Sequence, residues 1–346
     1  MQKKKNRYMD SQILEGFNHH AGSKARRDIV SALKQNGWEE ICFVNEQINY
    51  KSTLIRQFKS LFSILQAFLR MKKNSLLVMQ YPLEKNSPKI FNLLLPLFKK
   101  LKKIKCIVII HDLDSIRFRD KISYEIENKN LSIFDNIISH SQNMTNFITN
   151  DLRLNKNINE LHMFDYLSDF EGNPVNMPIN RIVFAGNLTK SSFCKELKNI
   201  KGLEFNLYGA IENEEKIIGP NVHYNGLFTS EEIVRKLEGS WGLLWDGDSL
   251  ETCSGKYGEY LKYNASHKNS LYIVAGLPLI VWKDAAIATY VLEHNIGIVV
   301  SSLYEIHEII TNMSYDDYQI KKTNVKKIAT KLKNGDNILH TISVFT

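Results

Sequence analysis

The stretch Gly239–Lys283, GSWGLLWDGDSLETCSGKYGEYLKYNASHKNSLYIVAGLPLIVWK, decides the fold. An apolar run, Trp241–Trp245, ends in an acidic turn with a central glycine, Asp246-Gly247-Asp248. A polar segment follows with Lys262, Tyr263, Asn264, Ser266, His267, Lys268 and Ser270, and an apolar helical run then ends at Gly276. Leu277-Pro278 opens a second apolar run, Leu279–Trp282. Two buried strands, joined by a helical segment rich in donors, describe the carboxyl edge of an open α/β sheet. Anions bind in such a crevice.

Outward from this stretch, short apolar runs alternate with longer helical periods. Strand candidates in the first half are Ile41–Asn45, Ser75–Tyr81, Ile104–His111, Asn136–His140 and Leu161–Tyr166. Helical periods separate them at Lys24–Gln35, Ser52–Lys72, Lys89–Lys102 and Ser141–Arg153. The pattern loosens at Ser168–Asn180, which holds Gly172, Pro174 and Pro178. Strands resume at Arg181–Ala185, Glu204–Tyr208, Val222–Leu227, Trp241–Trp245, Leu277–Trp282 and Gly297–Val300, with a helix expected over Tyr257–Ala275. Continuous rather than alternating apolar runs predict parallel strands covered on both faces. The fold class is therefore α/β, with two doubly wound Rossmann-like domains facing across a cleft. The expected units are 1–168, a linker 169–180, a second domain 181–314, and a basic helix and tail 315–346 able to cross back onto the first.

A length of 346 residues suits two domains. An apolar content of 43% with 24% charged residues is that of a soluble globular protein. The formal net charge of +8 favours anionic partners. Nucleic acid is the weakest of these, because there is no zinc-finger spacing and no basic arm beyond Lys3–Lys5. Cys42, Cys106, Cys194 and Cys253 are scattered, which argues against a disulfide framework and for a reducing, cytoplasmic setting. No apolar run approaches the ~20 residues of a membrane span.

Two segments offer contacts to a diphosphate carried by a sugar. Phe184-Ala185-Gly186-Asn187-Leu188-Thr189-Lys190-Ser191 passes from a strand through a glycine turn towards a helix, which frees backbone N–H groups, and Lys190 adds a charge. It has neither Walker A nor GxGxxG spacing and also reads as an ordinary βα turn. In the second segment His267 and Lys268 can meet the phosphates, with Asn264 and Ser266 donating to them; alone, it also reads as a solvated helix face.

Asp112, beside His111 at the end of a buried strand, can serve as base towards an acceptor hydroxyl or can cap a following helix. Gly22-Ser23-Lys24 can close over the ligand from the opposite domain or act as a plain cap. The triplets Asp112-Leu113-Asp114 and Asp246-Gly247-Asp248 have the D-x-D spacing that suits Mg²⁺ or Mn²⁺. The available basic residues nevertheless favour a site with no metal and no cofactor. Glu251 and Glu259 have E-x7-E spacing without the Gly-Pro turn that belongs close behind it, and read as coincidence. Lys89–Lys105 is apolar on one side and basic towards its end, so it either packs in the core or rests on an anionic membrane surface.

These residues resemble a known family. The GNLTKS loop, Tyr224–Phe228 (YNGLF), the WDG turn and the KYNxxHKxSLY segment with its GLP are similar to those of bacterial glycosyltransferases of the galactofuranosyltransferase-like group. GSKA near the start and IHDLDSIR in the middle also fit, so the likeness covers nearly the whole chain. That group includes the glucosyltransferase that extends N-acetylglucosamine on serine-rich repeat adhesins. The resemblance implies a GT-B fold, UDP held mainly by the second domain, metal-independent transfer and a homo-oligomer, frequently a tetramer. By the same resemblance Lys190, with Gly186 and Asn187 in its loop, holds the diphosphate, and Tyr224, Asn225 and Gly226 flank the uridine. Asn264, Ser266, His267, Lys268, Asn269 and Ser270 cradle ribose and phosphates, while Ser23 with Lys24 reaches in from the first domain. Ser266 stands where a proline is expected before His-Lys, which loosens the donor loop.

The activity so implied is transfer of a hexose, glucose first, from a UDP-sugar to O-linked N-acetylglucosamine on a Ser/Thr-rich protein. Asp112, Lys190 and Lys268 are the expected catalytic residues. A galactofuranosyl or hexosyl transferase of polysaccharide synthesis, with peripheral membrane contact, is one alternative. A catalytically idle nucleotide-sugar-binding partner is the other.

Overall fold

The computed structural model describes residues 6–10, 21–43, 53–83, 88–172, 179–212 and 217–346. Its first sheet has six parallel strands in the order β2-β1-β3-β4-β5-β6. They are β1 (Arg7–Asp10), β2 (Glu39–Ile41), β3 (Leu76–Tyr81), β4 (Lys105–Ile110), β5 (Asn136–Ser139) and β6 (Asn157–Glu160). Helices α1 (Ala21–Gln35), α2 (Thr53–Arg70), α3 (Pro88–Lys102), α4 (Asp114–Phe118), α5 (Lys121–Ser132) and α6 (Gln142–Asn146) connect them. Side chains alternate across the sheet with the period of the pleat. Leu77 and Met79 of β3 join Phe68 of α2 and Leu95 of α3 on one face. Leu76 and Val78 join Ala25, Ile29 and Leu33 of α1 on the other.

The second sheet has the order β12-β11-β10-β7-β8-β9, again all parallel. Its strands are β7 (Arg181–Ala185), β8 (Glu204–Tyr208), β9 (Val222–Tyr224), β10 (Trp241–Leu244), β11 (Leu279–Trp282) and β12 (Gly297–Val300). Helices α7 (Ile233–Lys236), α8 (Gly255–Tyr260), α9 (His267–Val274), α10 (Ala288–Glu293), α11 (Ile306–Asn312), α12 (Tyr315–Asn334) and α13 (Asp336–Ser343) complete the chain. α9 lies directly on β10. A Cβ on Gly242 would sit 2.2 Å from the Tyr272 ring, so only glycine admits that approach.

The carboxyl ends of the two sheets face each other, which is the GT-B arrangement. Leu113, His140 and Ser141, just past β4 and β5, bond to Tyr260, Ala265 and Tyr263 of the segment between β10 and β11. The end of the chain ties the halves together. α12 places Tyr318 and Val325 in the second core. Gly335, at φ 76°, turns the chain, and α13 inserts Ile338 and Ile342 into the first core. The buried Asp165 carboxylate accepts from the N–H groups of Asn337 (3.1 Å) and Ile338 (2.7 Å) and so caps α13.

Several sequence expectations need correction. The edge strand of the first sheet is Asn157–Glu160, not Leu161–Tyr166. The apolar 161–166 run instead crosses between the units, with Phe164 stacked on His111 at 5.1 Å. The helix expected over Tyr257–Ala275 is two helices, α8 and α9, because the polar residues 261–266 are spent on contacts with the first unit. β1 and α5 were not expected, and α4 only as the helix that an Asp112 cap would begin; its N-cap is Leu113, with no side-chain cap bond. Residues 173–178 of the expected linker lie outside the described residues.

Candidate active site

A cavity of about 370 Å³ opens at the carboxyl edge of β7 and β8. Glycine builds its floor. Gly209 has φ 133°, and a Cβ there would fall 1.8 Å from the Gly186 carbonyl oxygen. The turns are stitched together by Gly186 N–H to Tyr208 O and Gly209 N–H to Gly226 O, both at 2.9 Å. Leu227, Phe228 and Ile233 form an apolar side, and His267 and Lys268 of the α9 N-terminus form a polar one.

Lys268 is held in place. Its Nζ lies 3.2 Å from Asp246 Oδ2 and 4.7 Å from the Phe184 ring centroid. Gly186 is small for this reason: a Cβ there would come within 3.1 Å of Lys268 Cε. Ser266 caps α9, its Oγ accepting from Lys268 N–H at 3.3 Å. The Asn269 N–H bonds the Ser266 carbonyl at 3.0 Å, and the α9 N-terminus, the positive end of its dipole, borders the cavity through His267 and Lys268.

His267 stacks on Tyr166 with ring centroids 5.0 Å apart. Burial, reinforced by the Lys24 charge and opposed by a bond to the Asp165 carbonyl, lowers its pKa to about 3. The imidazole is therefore neutral, and its Nε2 is buried without a hydrogen-bond partner among the described residues. A ligand oxygen can supply that partner.

Across the cleft, β4 delivers Asp112. Its Oδ1 accepts from Arg117 Nη2 at 2.6 Å and from the Tyr260 hydroxyl at 3.2 Å. Burial raises the carboxyl above its ordinary range, and Arg117 and Tyr260 offset part of that rise. A side chain that keeps 38% of its surface open softens the shift further by solvent screening.

The two halves of the chain match two models of one family. Residues 8–163 match the N-terminal domain of glucosyltransferase 3-like proteins, and residues 182–343 match the C-terminal domain. The chain belongs to the glucosyltransferase 3-like family. It is a glycosyltransferase.

Among curated relatives, beta-1,6-galactofuranosyltransferase WbbI of Escherichia coli K12 is 32% identical over 320 residues, covering 91% of each chain. Glucosyltransferase 3 of Streptococcus gordonii is 27% identical over 243 residues, 68% of this chain and 69% of that one. Solved structures share the fold. Sucrose-phosphate synthase of Thermosynechococcus elongatus has a TM-score of 0.61 at 14% identity, covering 92% of this chain and 91% of that one. Anabaena HepE, solved with UDP-glucose, has a TM-score of 0.58 at 12% identity, covering 97% and 98%.

In this glucosyltransferase 3-like chain, the expected site residues divide by place. Gly186, Asn187, His267 and Lys268 line the cavity together. Lys190 lies outside the lining: it is exposed, its N–H bonds Asn187 Oδ1 at 3.0 Å, and its Nζ is 5.8 Å from the Tyr257 ring centroid. Tyr224, Asn225 and Gly226 support the floor rather than forming a wall; the Tyr224 hydroxyl donates to Gly209 O at 3.1 Å. Asn264, Asn269 and Ser270 do not reach the cavity either. Asn269 is fully buried, and Ser270 donates to the Phe164 carbonyl at 2.5 Å. Ser23 and Lys24 are buried on α1, and Lys24 bridges Asp28 (3.1 Å) to Glu231 (3.0 Å) across the two units.

Tyr166, Gly209 and Phe228, which line the cavity, and Tyr260, which bonds Asp112, were given no role from the sequence. Gly209 had a legible signal, a glycine straight after a buried strand. Tyr166 and Tyr260 had none, because each acts through a contact with the other half of the chain.

Of the D-x-D carboxylates, Asp112, Asp246 and Asp248 have side-chain partners. Asp246 Oδ1 accepts from Ser191 Oγ at 3.3 Å, besides the Lys268 bond, and Asp248 accepts from Ser192 Oγ at 2.5 Å. Glu259 pairs with Lys262 at 2.9 Å.

Proposed function

We propose that this chain transfers a hexosyl unit from a UDP-sugar to a hydroxyl of a saccharide acceptor, with galactofuranose as the leading donor sugar. The observation that carries the reading is Lys268, set against Gly186 at the mouth of a cavity that is apolar on one side. The apolar side suits the base. Lys268 and the α9 N-terminus suit the diphosphate, and their positive charge would stabilise the leaving UDP. Lys190, exposed near the same turn, would add to that field as the sugar bond breaks. The reading has lysine rather than a metal ion meet the charge on UDP, and the partners that Asp246 and Asp248 already have support it. Asp112, raised by burial and oriented by Arg117 and Tyr260, would accept the proton of the acceptor hydroxyl. UDP is expected to need no other cofactor.

The leading donor is drawn from the WbbI likeness, which spans 91% of both chains. Glucose transfer to O-linked N-acetylglucosamine on a Ser-rich peptide is the second reading. It is favoured by the likeness to Glucosyltransferase 3 of two streptococci, each over 68% of this chain. A UDP-release assay tests both. UDP-galactofuranose, UDP-glucose, UDP-galactose and UDP-N-acetylglucosamine would each be run with alkyl glycosides and with a GlcNAc-bearing Ser-rich peptide. Acceptor-dependent release from UDP-galactofuranose with a glycoside supports the first reading. Peptide-dependent release from UDP-glucose replaces it with the second. UDP binding without release on any acceptor returns the chain to a nucleotide-sugar-binding partner.

A further inference from the structure

The helices on one face of the first sheet are apolar on both sides. α2 turns Ile64, Ala67, Phe68 and Met71 into the core, and α3 does the same with Phe91, Leu95 and Phe98. Their opposite sides should be polar if water covers them. Instead α2 exposes Phe58 (72%), Phe62 (64%) and Leu69 (69%), and α3 exposes Leu93 (75%), Leu97 (51%) and Leu101 (60%). Spacings of four and seven residues put each set on one helix face. The two helices are neighbours: Lys102 Nζ of α3 donates to the carbonyls of Phe68 (2.7 Å), Leu69 (2.9 Å) and Met71 (2.6 Å) at the end of α2. Six large apolar side chains therefore form one stripe, well beyond the isolated exposed residues normal for a surface.

The charge around the stripe is of one sign. Neither α2 nor α3 contains an acidic residue. Arg70 ends α2 and Lys72 and Lys73 follow it, while Lys100 lies in the last turn of α3 and Lys103 just past it, all exposed. Because the sheet is parallel, both helices end at the edge away from the cleft, so the basic residues gather at one end of the stripe. A second copy docked through the same patch would bring no carboxylate of α2 or α3 to meet these lysines. An anionic surface with an apolar interior meets both features at once. Among the described residues no helix is long and apolar enough to cross a membrane, so the contact is one of surface docking.

We propose that the α2–α3 face docks this enzyme on the surface of an anionic lipid bilayer, with the leucines and phenylalanines entering the headgroup boundary. The site stands apart from the donor cavity, and the proposal does not depend on which sugar is transferred. Sedimentation of the full chain with phosphatidylglycerol-rich vesicles, against pure phosphatidylcholine vesicles, tests it.

Binding to the anionic vesicles is expected, weakened by high salt. Two sets of variants separate the contributions: Phe62→Ser with Leu97→Ser for the apolar stripe, and Lys72→Glu with Lys73→Glu for the charge. Each pair is expected to lower the vesicle-bound fraction by roughly tenfold or more. Acceptor-dependent UDP release on soluble glycosides and the melting temperature should stay within error of the parent. No binding to anionic vesicles overturns the proposal. So does equal binding to both vesicle types, or a concentration-dependent oligomer that the Ser variants dissolve while vesicle binding persists.

Discussion

Tyr260, on a helix of the second unit, holds Asp112 at the end of a strand in the first. Its hydroxyl donates to Asp112 Oδ1 at 3.2 Å and accepts from Leu113 N–H at 3.1 Å. The guanidinium of Arg117, the other partner of Asp112, lies 4.7 Å from the centre of the Tyr260 ring. One tyrosine thus fixes the position of the proposed base and joins the two halves of the cleft. Asp112→Asn is expected to lower turnover by roughly 10²–10⁴-fold with little change in UDP affinity. Tyr260→Phe should act on the pH profile. The Tyr260 bond lowers the Asp112 pKa, so losing it raises that pKa, and the acidic limb of kcat/KM moves to higher pH. An unmoved limb, with only a general loss of rate, would remove Tyr260 from the positioning of the base.

The two lysines at the proposed diphosphate site differ in what the fold asks of them. The hydrogen bonds of exposed Lys190 in this turn, to Asn187 Oδ1 and Asn187 O, come from its backbone N–H, so Lys190→Ala should leave thermal stability within about 0.5 kcal/mol. Its turnover should nevertheless fall by roughly tenfold or more if it meets the leaving group. Lys268→Met removes the charge and leaves Asp246 without its cation. Donor affinity and turnover should then both fall, by roughly 10²-fold in kcat/KM. If lysine takes the role proposed for it, turnover of the parent should survive EDTA, and loss of turnover on chelation would return the diphosphate to a metal ion. Near-parental kcat/KM in the Lys268 variant would move the diphosphate elsewhere.

Glycines at the cavity give a paired test. At Gly209 both the φ of 133° and a 1.8 Å approach to the Gly186 carbonyl forbid a side chain. Gly209→Ala should cost about 2–4 kcal/mol of stability. At Gly186 the nearest atoms to a new Cβ are the flexible end of Lys268, at 3.1 and 3.2 Å, and Phe184 Cζ at 3.3 Å. Gly186→Ala should melt near the parent and lose UDP affinity by roughly tenfold, because Lys268 must shift. Calorimetric titration with UDP and a thermal melt read the two effects separately.

The alternation of buried strands and helices was legible because parallel strands covered on both faces leave unbroken apolar runs. Among the described residues, nine of the twelve strands lie within expected strand runs, although β8 (EFNLY) and β9 (VHY) break the apolar pattern. The failures have physical causes. β1 is only Arg-Tyr-Met-Asp, too short and too polar to stand out, yet it sits between β2 and β3. β6, Asn157–Glu160, is an edge strand with no fully buried position. The run behind it is apolar because Phe164 and Tyr166 serve the junction between units, not a strand.

Of the cavity lining, Gly186 and Asn187 were readable as a turn after a strand, and His267 and Lys268 as part of a polar, donor-rich segment. The placement of Asn264, Asn269, Ser270 and Lys24 was not, because donors to a ligand and donors across a domain contact have the same composition. Lys24 illustrates this: its ammonium is taken up by Asp28, Glu231 and the Leu167 carbonyl.

The junction also contains a proton-sensitive contact. His140 Nε2 bonds the Ile110 carbonyl at 2.7 Å, and its Nδ1 accepts from Ala265 N–H at 3.1 Å. The second bond needs an unprotonated Nδ1, and it joins the first unit to the second. Burial lowers the His140 pKa from 6.5 to about 4, the Arg117 charge adds to this, and the Ile110 bond opposes it. Because the folded pKa is depressed, this group's contribution is full above about 6.5 and is lost as pH falls towards 4. Its size is on the order of 3 kcal/mol.

Buried carboxyls push the other way. Asp165, raised to about 7 by burial, favours the folded state at low pH, so the total slope mixes opposite signs. A difference between variants isolates the histidine. His140→Gln keeps a donor for Ile110 but cannot titrate, and it leaves Ala265 N–H unpaired at about 1 kcal/mol. The parent should lose stability faster than this variant between about pH 6.5 and 4, read by urea denaturation across pH. The protection of the Ala265 amide against exchange, taken relative to its intrinsic rate at each pH, should fall in the parent over the same range. Parallel stability curves for parent and variant would show that His140 titrates alike in the folded and unfolded chains, and that acid does not loosen the junction through it.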